Sequence, residues 1–237
     1  PLMAENAQDV LILGLGTGTF AGQCLEYFPG CEVTGVEIDE KIVDISREYF
    51  DLPEEVEAIV GDGRAWLTAS GGSWDVIMVD AYQDITIPFQ MSSVEFFTEV
   101  REHLAPGGVM VVNMSMRSES EGSMNEYLID TIASVFPHVY TVRVSGGSNM
   151  ELFASADAGA LARFESRYPQ LEDEGYRAIM QRVDEGLAPA GGGDYILTDD
   201  KAPVELLGMR VLDEIIGSEL DAIRGQIAVE GIMSLLE

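Results

Sequence analysis

Long apolar runs are missing from this chain. None reaches the roughly 20 residues that cross a bilayer, and no charged, apolar and small-residue order of a secretory signal opens it. The expected setting is therefore cytoplasmic, with no membrane partner. Cysteine is nearly absent: Cys24 and Cys31 make no disulfide framework and read as reduced thiols. Histidine is as scarce, only His103 and His138, so a zinc site has nothing to rest on and no metal is expected. Positive charge is the third shortage. Lys41 and Lys201 are the only lysines, and the formal net charge is −29. Such a surface repels phosphate backbones, which argues against nucleic acid, and it attracts cations such as amines. Most of these acids read simply as solvated surface. Pro1 rather than Met stands first, consistent with further residues before it in a longer natural chain.

What is present is a core-forming composition. Hydrophobic residues make up 46% of 237 positions, enough for one large α/β domain with a modest appendage. Strand-like and helix-like segments alternate from Asp9 to Ala154. Strands are expected at Val10–Leu13, Val33–Ile38, Glu57–Val60, Val76–Asp80 and Val109–Asn113, with a closing pair at Val139–Val144 and Met150–Ser155. Helices are expected after the glycines to Tyr27, over Glu40–Phe50, after Gly63, over Val94–Leu104 and over Met124–Phe136, with Pro106-Gly107-Gly108 as a turn. This alternation predicts a mostly parallel, Rossmann-like sheet with helices on both faces. Beyond it, Ala158–Tyr168 and Tyr176–Leu187 read as helices, residues 188–193 as a flexible stretch and Glu205–Leu236 as one or two helices. Residues 1–156 are thus expected to form the α/β core, and 157–237 a helical appendage on the same domain.

Three strand ends carry the functional signal. The first strand runs into Gly14-Leu15-Gly16-Thr17-Gly18, where glycines allow a sharp turn and close approach of a ligand. The second ends at Glu37, at the spacing of a carboxylate that accepts from ribose hydroxyls, while Asp39 suits a helix cap. The third ends in Gly61-Asp62-Gly63, where Asp62 can accept from the adenine amine and the glycines admit the base; a turn aspartate is the plainer alternative. Gly16, Gly18 and Ala21 also satisfy a dinucleotide pattern, but Asp62 and the missing second mononucleotide half speak against NAD.

The fourth strand ends at Asp80, followed by Tyr82, Gln83 and Asp84. Carboxylates here suit an amine acceptor: they hold its ammonium and accept its proton. A carboxylate is a weak base for an amine, so Asp80 is expected to act by positioning and by a raised pKa in a closed site. Asp199 and Asp200 form a further acidic turn that either covers the pocket or caps the last helix. Met91, Met110, Met114, Met116 and Met124 read as core fillers.

These residues together resemble the spermidine synthase-like group of the S-adenosylmethionine-dependent methyltransferase superfamily. The pieces are Gly14–Gly18, Val36-Glu37-Ile38-Asp39, Gly61-Asp62-Gly63, Asp75–Asp80, Leu104-Ala105-Pro106-Gly107-Gly108 and, in the tail, Leu197–Glu205. The resemblance implies a seven-stranded sheet whose last strand is antiparallel. It also implies S-adenosylmethionine or its decarboxylated form as cofactor. Gly14, Gly16, Thr17, Gly18, Glu37, Asp62, Gly63 and Asp80 would bind it. Asp80 and Asp84 would be catalytic, and Tyr82, Gln83, Asp199 and Asp200 would contact the acceptor. The activity implied is aminopropyl transfer to an amine such as putrescine, a step of polyamine biosynthesis, with a homodimer as the assembly to test. The sequence departs from the group at Thr17, where synthases carry aspartate, and at Gln83, which stands where a second aspartate is expected, Asp84 coming one residue later. An N-terminal β-domain is also missing from this sequence. Two alternatives follow: a small-molecule methyltransferase, and a nucleoside-binding module without catalysis.

Overall fold

A computed structural model describes residues 1–81, 88–114, 121–143 and 149–204, with Leu207, Met209, Ile216, Gly217 and Arg224 beyond them. Five parallel strands come first: β1 (Asp9–Leu13), β2 (Glu32–Glu37), β3 (Glu57–Val60), β4 (Trp74–Val79) and β5 (Leu104–Met114). Between them lie α1 (Thr19–Tyr27), α2 (Glu40–Tyr49), α3 (Gly63–Ala69) and α4 (Val94–Glu102). Then follow α5 (Met124–Val135), β6 (His138–Arg143), β7 (Met150–Ser155), α6 (Ala160–Arg167), α7 (Glu174–Gly186) and β8 (Ala188–Pro189). The strand order is β3-β2-β1-β4-β5-β7-β6-β8.

The expected seven strands form, and β7 is the antiparallel one, lying between β5 and β6. The sheet has an eighth strand that the sequence reading lacks. Ala188 and Pro189, expected in a flexible stretch, pair antiparallel with Thr141 and Tyr140 on the sheet edge. Proline is tolerated there because an edge strand leaves one row of amides without a ladder partner. The following glycines are also tied down: Gly193 and Tyr195 donate their amides to the buried Asp130 carboxylate, each at 3.1 Å.

β5 also begins earlier than expected. Pro106-Gly107-Gly108 is carried inside the strand: Gly107 takes φ +75°, and the pairing with β4 slips register between Trp74 and Val76. A bulge of this kind absorbs residues that would otherwise close a turn.

The core divides by strand alternation. Leu11, Leu13, Ile77, Val79, Met110 and Val112 face α3, α4 and α5 in one buried cluster. Val10, Ile12, Val76, Met78, Val109 and Val111 face α1 and α6 in the other, with Tyr176, Met180 and Val183 of α7 packed against it. The central strands are therefore apolar on both faces, as parallel strands covered by helices must be. Met91, Met110, Met114 and Met124 are buried in the first cluster, as expected of fillers, whereas Met116 lies outside the described residues.

Candidate active site

The chain returns from β3 to lay β4 against the free side of β1, so the strand order reverses between β1 and β4. Such a switch opens a crevice beyond the carboxyl ends of the strands, where open α/β sheets bind ligands. Gly14, Gly16 and Gly18 line its floor with φ of +94°, +55° and +81°. A Cβ on Gly14 would stand 2.5 Å from the Asp80 carbonyl oxygen, so that glycine is required for packing against β4. A Cβ on Gly16 would meet nothing within 4 Å. That is the cradle expected where a ligand, rather than protein, fills the space. Thr17 is exposed, its Oγ1 3.2 Å from that of Thr19.

Glu37 turns back onto this loop. Its Oε2 accepts from the Gly16 amide at 3.0 Å and its Oε1 from the Asp39 amide at 3.2 Å. The carboxylate is thus held at the rim of the crevice with lone pairs left for two ribose hydroxyls. Asp39 caps α2 by accepting from the Lys41 amide, as its position predicted. Ile38, between them, is 68% exposed, an apolar side chain beside the Glu37 carboxylate that the sequence reading did not single out.

Asp62 caps α3: its Oδ1 accepts from the Ala65 amide at 2.8 Å. One carboxylate oxygen is used in the cap, which leaves Oδ2 for a base amine. A Cβ on Gly61 would meet nothing within 4 Å, whereas one on Gly63, which opens the helix, would rest at ordinary contact distance from Leu13 and Met91.

Asp80 follows β4, and its amide donates to the Leu13 carbonyl. The Asn113 Nδ2 donates to Asp80 Oδ1 at 2.9 Å, and Asn149 Nδ2 donates to Asn113 Oδ1 at 3.2 Å. Burial pushes the Asp80 carboxyl above the ordinary carboxylate range, while the Asn113 amide pulls it part of the way back. Val79 pairs with Val112, and Asn113 with Glu151. Asp80, Asn113 and Glu151 therefore form one row across β4, β5 and β7. Burial, reinforced by the Asp80 charge, pushes Glu151 up to about 7. Asn113, Asn149 and Glu151 were missed by sequence reasoning. The available signal was a polar residue closing the apolar run Val109–Val112, and an acid inside the otherwise apolar Met150–Ala154.

The expected catalytic Asp84 and the expected acceptor residues Tyr82 and Gln83 lie outside the described residues. Asp199 neither caps the last helix nor presents a free carboxylate. Arg64 grips it with two hydrogen bonds of 2.8 Å, Ser93 Oγ donates at 2.5 Å, and Arg64 also reaches the Gln90 carbonyl and Glu99. The guanidinium bonds hold the Asp199 carboxyl below its usual range. Its role is to tie the tail to the first turns of α3 and α4, at the rim of the crevice. Asp200 is exposed beside it.

The family profile described as spermine/spermidine synthase domain matches residues 1–148. A probable polyamine aminopropyl transferase of Bifidobacterium longum is 50% identical over 253 residues, covering 100% of this chain and 57% of its own length. The chain also spans 63% of a polyamine aminopropyltransferase of Chromobacterium violaceum that it matches at 27% identity, so it is shorter than both relatives. Among solved structures, a probable spermidine synthase from Corynebacterium glutamicum superposes with TM-score 0.59 at 25% identity, over 80% of this chain and 74% of that one. Human methyltransferase-like protein 13 in complex with SAH gives TM-score 0.60 at 21% identity, over 78% and 86%; at that identity the likeness concerns the fold.

Proposed function

The chain belongs to the spermine/spermidine synthase domain family, and from that premise we propose that it transfers an aminopropyl group from decarboxylated S-adenosylmethionine to an amine such as putrescine. The observation that carries this reading is the placement of Asp80, oriented by Asn113, directly against the glycine loop. A half-buried carboxylate at that point would hold a cationic acceptor beside the carbon that moves. The crevice fits the donor: Gly16 leaves room for it, Glu37 suits its ribose and Asp62 its base.

The donor supplies a sulfonium, already a good leaving group, so no metal is required. The acceptor nitrogen forms a bond to the propyl carbon, and the carbon–sulfur bond breaks with its electrons going to sulfur. One proton must leave the nitrogen. Asp80, raised by burial, is placed to hold the ammonium and take that proton. The remaining work is alignment and exclusion of water. Two free cysteines suit a reducing, cytoplasmic setting.

The test is an aminopropyl-transfer assay with the decarboxylated donor and a panel of diamines. Asp80→Asn should lower kcat about 100-fold or more while leaving donor affinity within a few-fold. Failure of every diamine to accept, at high protein concentration, would refute the reading. One feature favours a second reading, methyl transfer: Thr17 places no carboxylate in the glycine loop to pair with an aminopropyl ammonium. Calorimetric titration with S-adenosylmethionine and its decarboxylated form separates the two, because aminopropyl transfer requires preference for the latter.

A further inference from the structure

The first turn of α3 carries a charge of the wrong sign. A helix presents the positive end of its dipole there, and α2, α4, α5 and α7 each place a glutamate in that turn. In α3 the turn holds Arg64, on a chain with 13 lysines and arginines against 42 acids. Local helix chemistry does not explain this residue, so its reason lies in what it reaches. Arg64 Nη1 and Nη2 donate to the two oxygens of Asp199, Nη1 donates to the Gln90 carbonyl at 2.8 Å, and Nε stands 3.4 Å from Glu99. Its guanidinium carbon lies 6.0 Å from the centre of the Phe96 ring. Every nitrogen of the guanidinium is thus directed at a group outside α3.

Asp199 is a fixed post for that grip. Its amide donates to Glu95 Oε2 at 3.0 Å, and Ser93, which caps α4, donates to its Oδ1. Two residues earlier, the Leu197 carbonyl accepts from the Val94 amide at 2.9 Å, and the Leu197 amide donates to the buried Thr131 hydroxyl at 2.9 Å. The tail is therefore set by α4 and α5, and α3 is drawn to it. The helix needs such a hold: it is seven residues long, too short to be stable alone, and of these only Leu67 is buried. Arg64 lies two residues after Asp62, the cap whose Oδ1 is used by the Ala65 amide and whose Oδ2 is left for a base amine.

We propose that Arg64 is the positioning residue of the base site and that Asp199 acts through it: together they hold the first turn of α3 so that Asp62 Oδ2 meets the exocyclic amine of adenine. Asp199, expected from sequence to touch the acceptor, then serves the donor. This rests on the reading of Asp62 as the base-binding carboxylate and adds the residues that aim it. A hydrogen bond of about 2.9 Å is lost by roughly 3.6 Å, so a small displacement of the cap is enough to forfeit it. The contacts that do not depend on the amine, at Glu37 and the glycine loop, belong to the ends of β2 and β1 and stay in place. Loss of the Arg64–Asp199 pair should therefore erase recognition of one group on the base and leave the rest of the nucleoside bound.

The experiment titrates two neutral nucleosides into the protein by calorimetry: 5′-methylthioadenosine, which aminopropyl transfer would leave behind, and its counterpart with hydrogen in place of the base amine. Neither carries a sulfonium or the group to be moved, so the result does not depend on which group the enzyme transfers. The unmodified protein should favour the first about tenfold or more, as expected for a hydrogen bond to a charged acceptor. In Arg64→Met that preference should fall to about threefold or less, with affinity for the amine-free nucleoside within about twofold of normal. Asp199→Ala, which leaves α3 unaltered in sequence, should reproduce the loss and reads the same contact where Arg64→Met is poorly folded. Asp62→Asn keeps the cap but turns an amide donor toward the base amine, and should abolish the preference. A full preference retained in folded Arg64→Met or Asp199→Ala overturns the inference and, with the preference gone in Asp62→Asn, leaves the base reading standing. Equal weakening of both nucleosides overturns it too, since the arginine then supports the whole crevice and not Asp62. A preference missing from the unmodified protein, or surviving in Asp62→Asn, overturns the inference and the base reading together, and leaves aminopropyl transfer standing.

Discussion

Two glycines in one loop offer a sharp test of where the donor lies, because the same substitution should act on them in opposite ways. At Gly14, alanine would press its Cβ 2.5 Å from the Asp80 carbonyl oxygen and 2.9 Å from the Ala81 amide nitrogen, both backbone atoms that cannot rotate away. Left-handed strain of about 1–2 kcal/mol adds to overpacking of about 1–3 kcal/mol. Gly14→Ala should therefore lose about 3–4 kcal/mol, and at roughly 2–4 °C per kcal/mol for a chain of this size its midpoint should fall by about 10 °C. Gly16 sits at φ +55°, inside the left-handed well that other residues can enter, and its Cβ meets nothing within 4 Å. Gly16→Ala should cost about 1 kcal/mol and melt within about 4 °C of the unmodified protein. Its effect should fall on the ligand. If the donor fills the space above Gly16, a methyl group there intrudes by about 1–3 kcal/mol, a loss of about 5- to 150-fold in donor affinity. Thermal melts of both variants, with calorimetric titration of the decarboxylated donor into Gly16→Ala, read the two effects separately. Donor affinity within twofold of normal in Gly16→Ala would refute the placement of the donor on this loop. A normal midpoint for Gly14→Ala would refute the packing argument for β4.

Glu37→Gln should weaken donor binding about tenfold or more, since hydrogen bonds to a charged acceptor contribute about 1.5–3 kcal/mol; titration against the free nucleoside checks it, and unchanged affinity would remove Glu37 from the ribose. Arg64→Met should destabilise by about 1–2 kcal/mol, less than a buried pair because Asp199 is 40% exposed. A cycle with Asp199→Asn should return a coupling of about 1 kcal/mol, and strict additivity would mean that the tail is held by other contacts. The pair also has a pH signature. Asp199 is depressed in the folded chain, so its stabilisation is complete above the ordinary aspartate pKa and is lost as pH falls through the lower folded value. The stability gap between the unmodified protein and Arg64→Met should therefore close in acid, below about pH 4; a gap that persists there would show that the carboxylate charge is not what Arg64 reads.

The parts of the fold legible in the sequence are those that local chemistry decides. Val10–Leu13 and Val76–Val79 are apolar on both faces because helices cover both, and that leaves an uninterrupted run that turn residues bracket. Gly14–Gly18, Glu37 and Asp62 stand out for the same reason, each a polar or permissive residue where such a run stops. Where pairing is remote, the reading failed. Ala188–Pro189 is too short to show a period of two, and its partners Tyr140 and Thr141 lie far away in sequence. Asp199 reads as a helix cap because capping is the commonest fate of an aspartate before a helix, but its partner Arg64 is 135 residues away. Pro106-Gly107-Gly108 reads as a turn because nothing local reveals that a bulge against β4 can swallow it.

Glu151 illustrates the deeper reason that a site is harder to read than a fold. Among 42 acidic residues, one more glutamate in a strand carries almost no information, since an acid in a strand is ordinarily its solvated side. Its meaning comes from register. β7 enters the sheet antiparallel, so its start lies at the carboxyl edge with the ends of β4 and β5, and the pairing of Asn113 with Glu151 sets the acid in line with Asp80. A shift of one residue in that pairing would turn Glu151 toward α5 and into the apolar cluster of Met150 and Leu152, where a carboxylate could not be tolerated. The same acid that makes the register costly to change is thereby placed in line with Asp80 at the carboxyl edge of the sheet. The make-up of this edge is then a property of the sheet's strand order as much as of any motif.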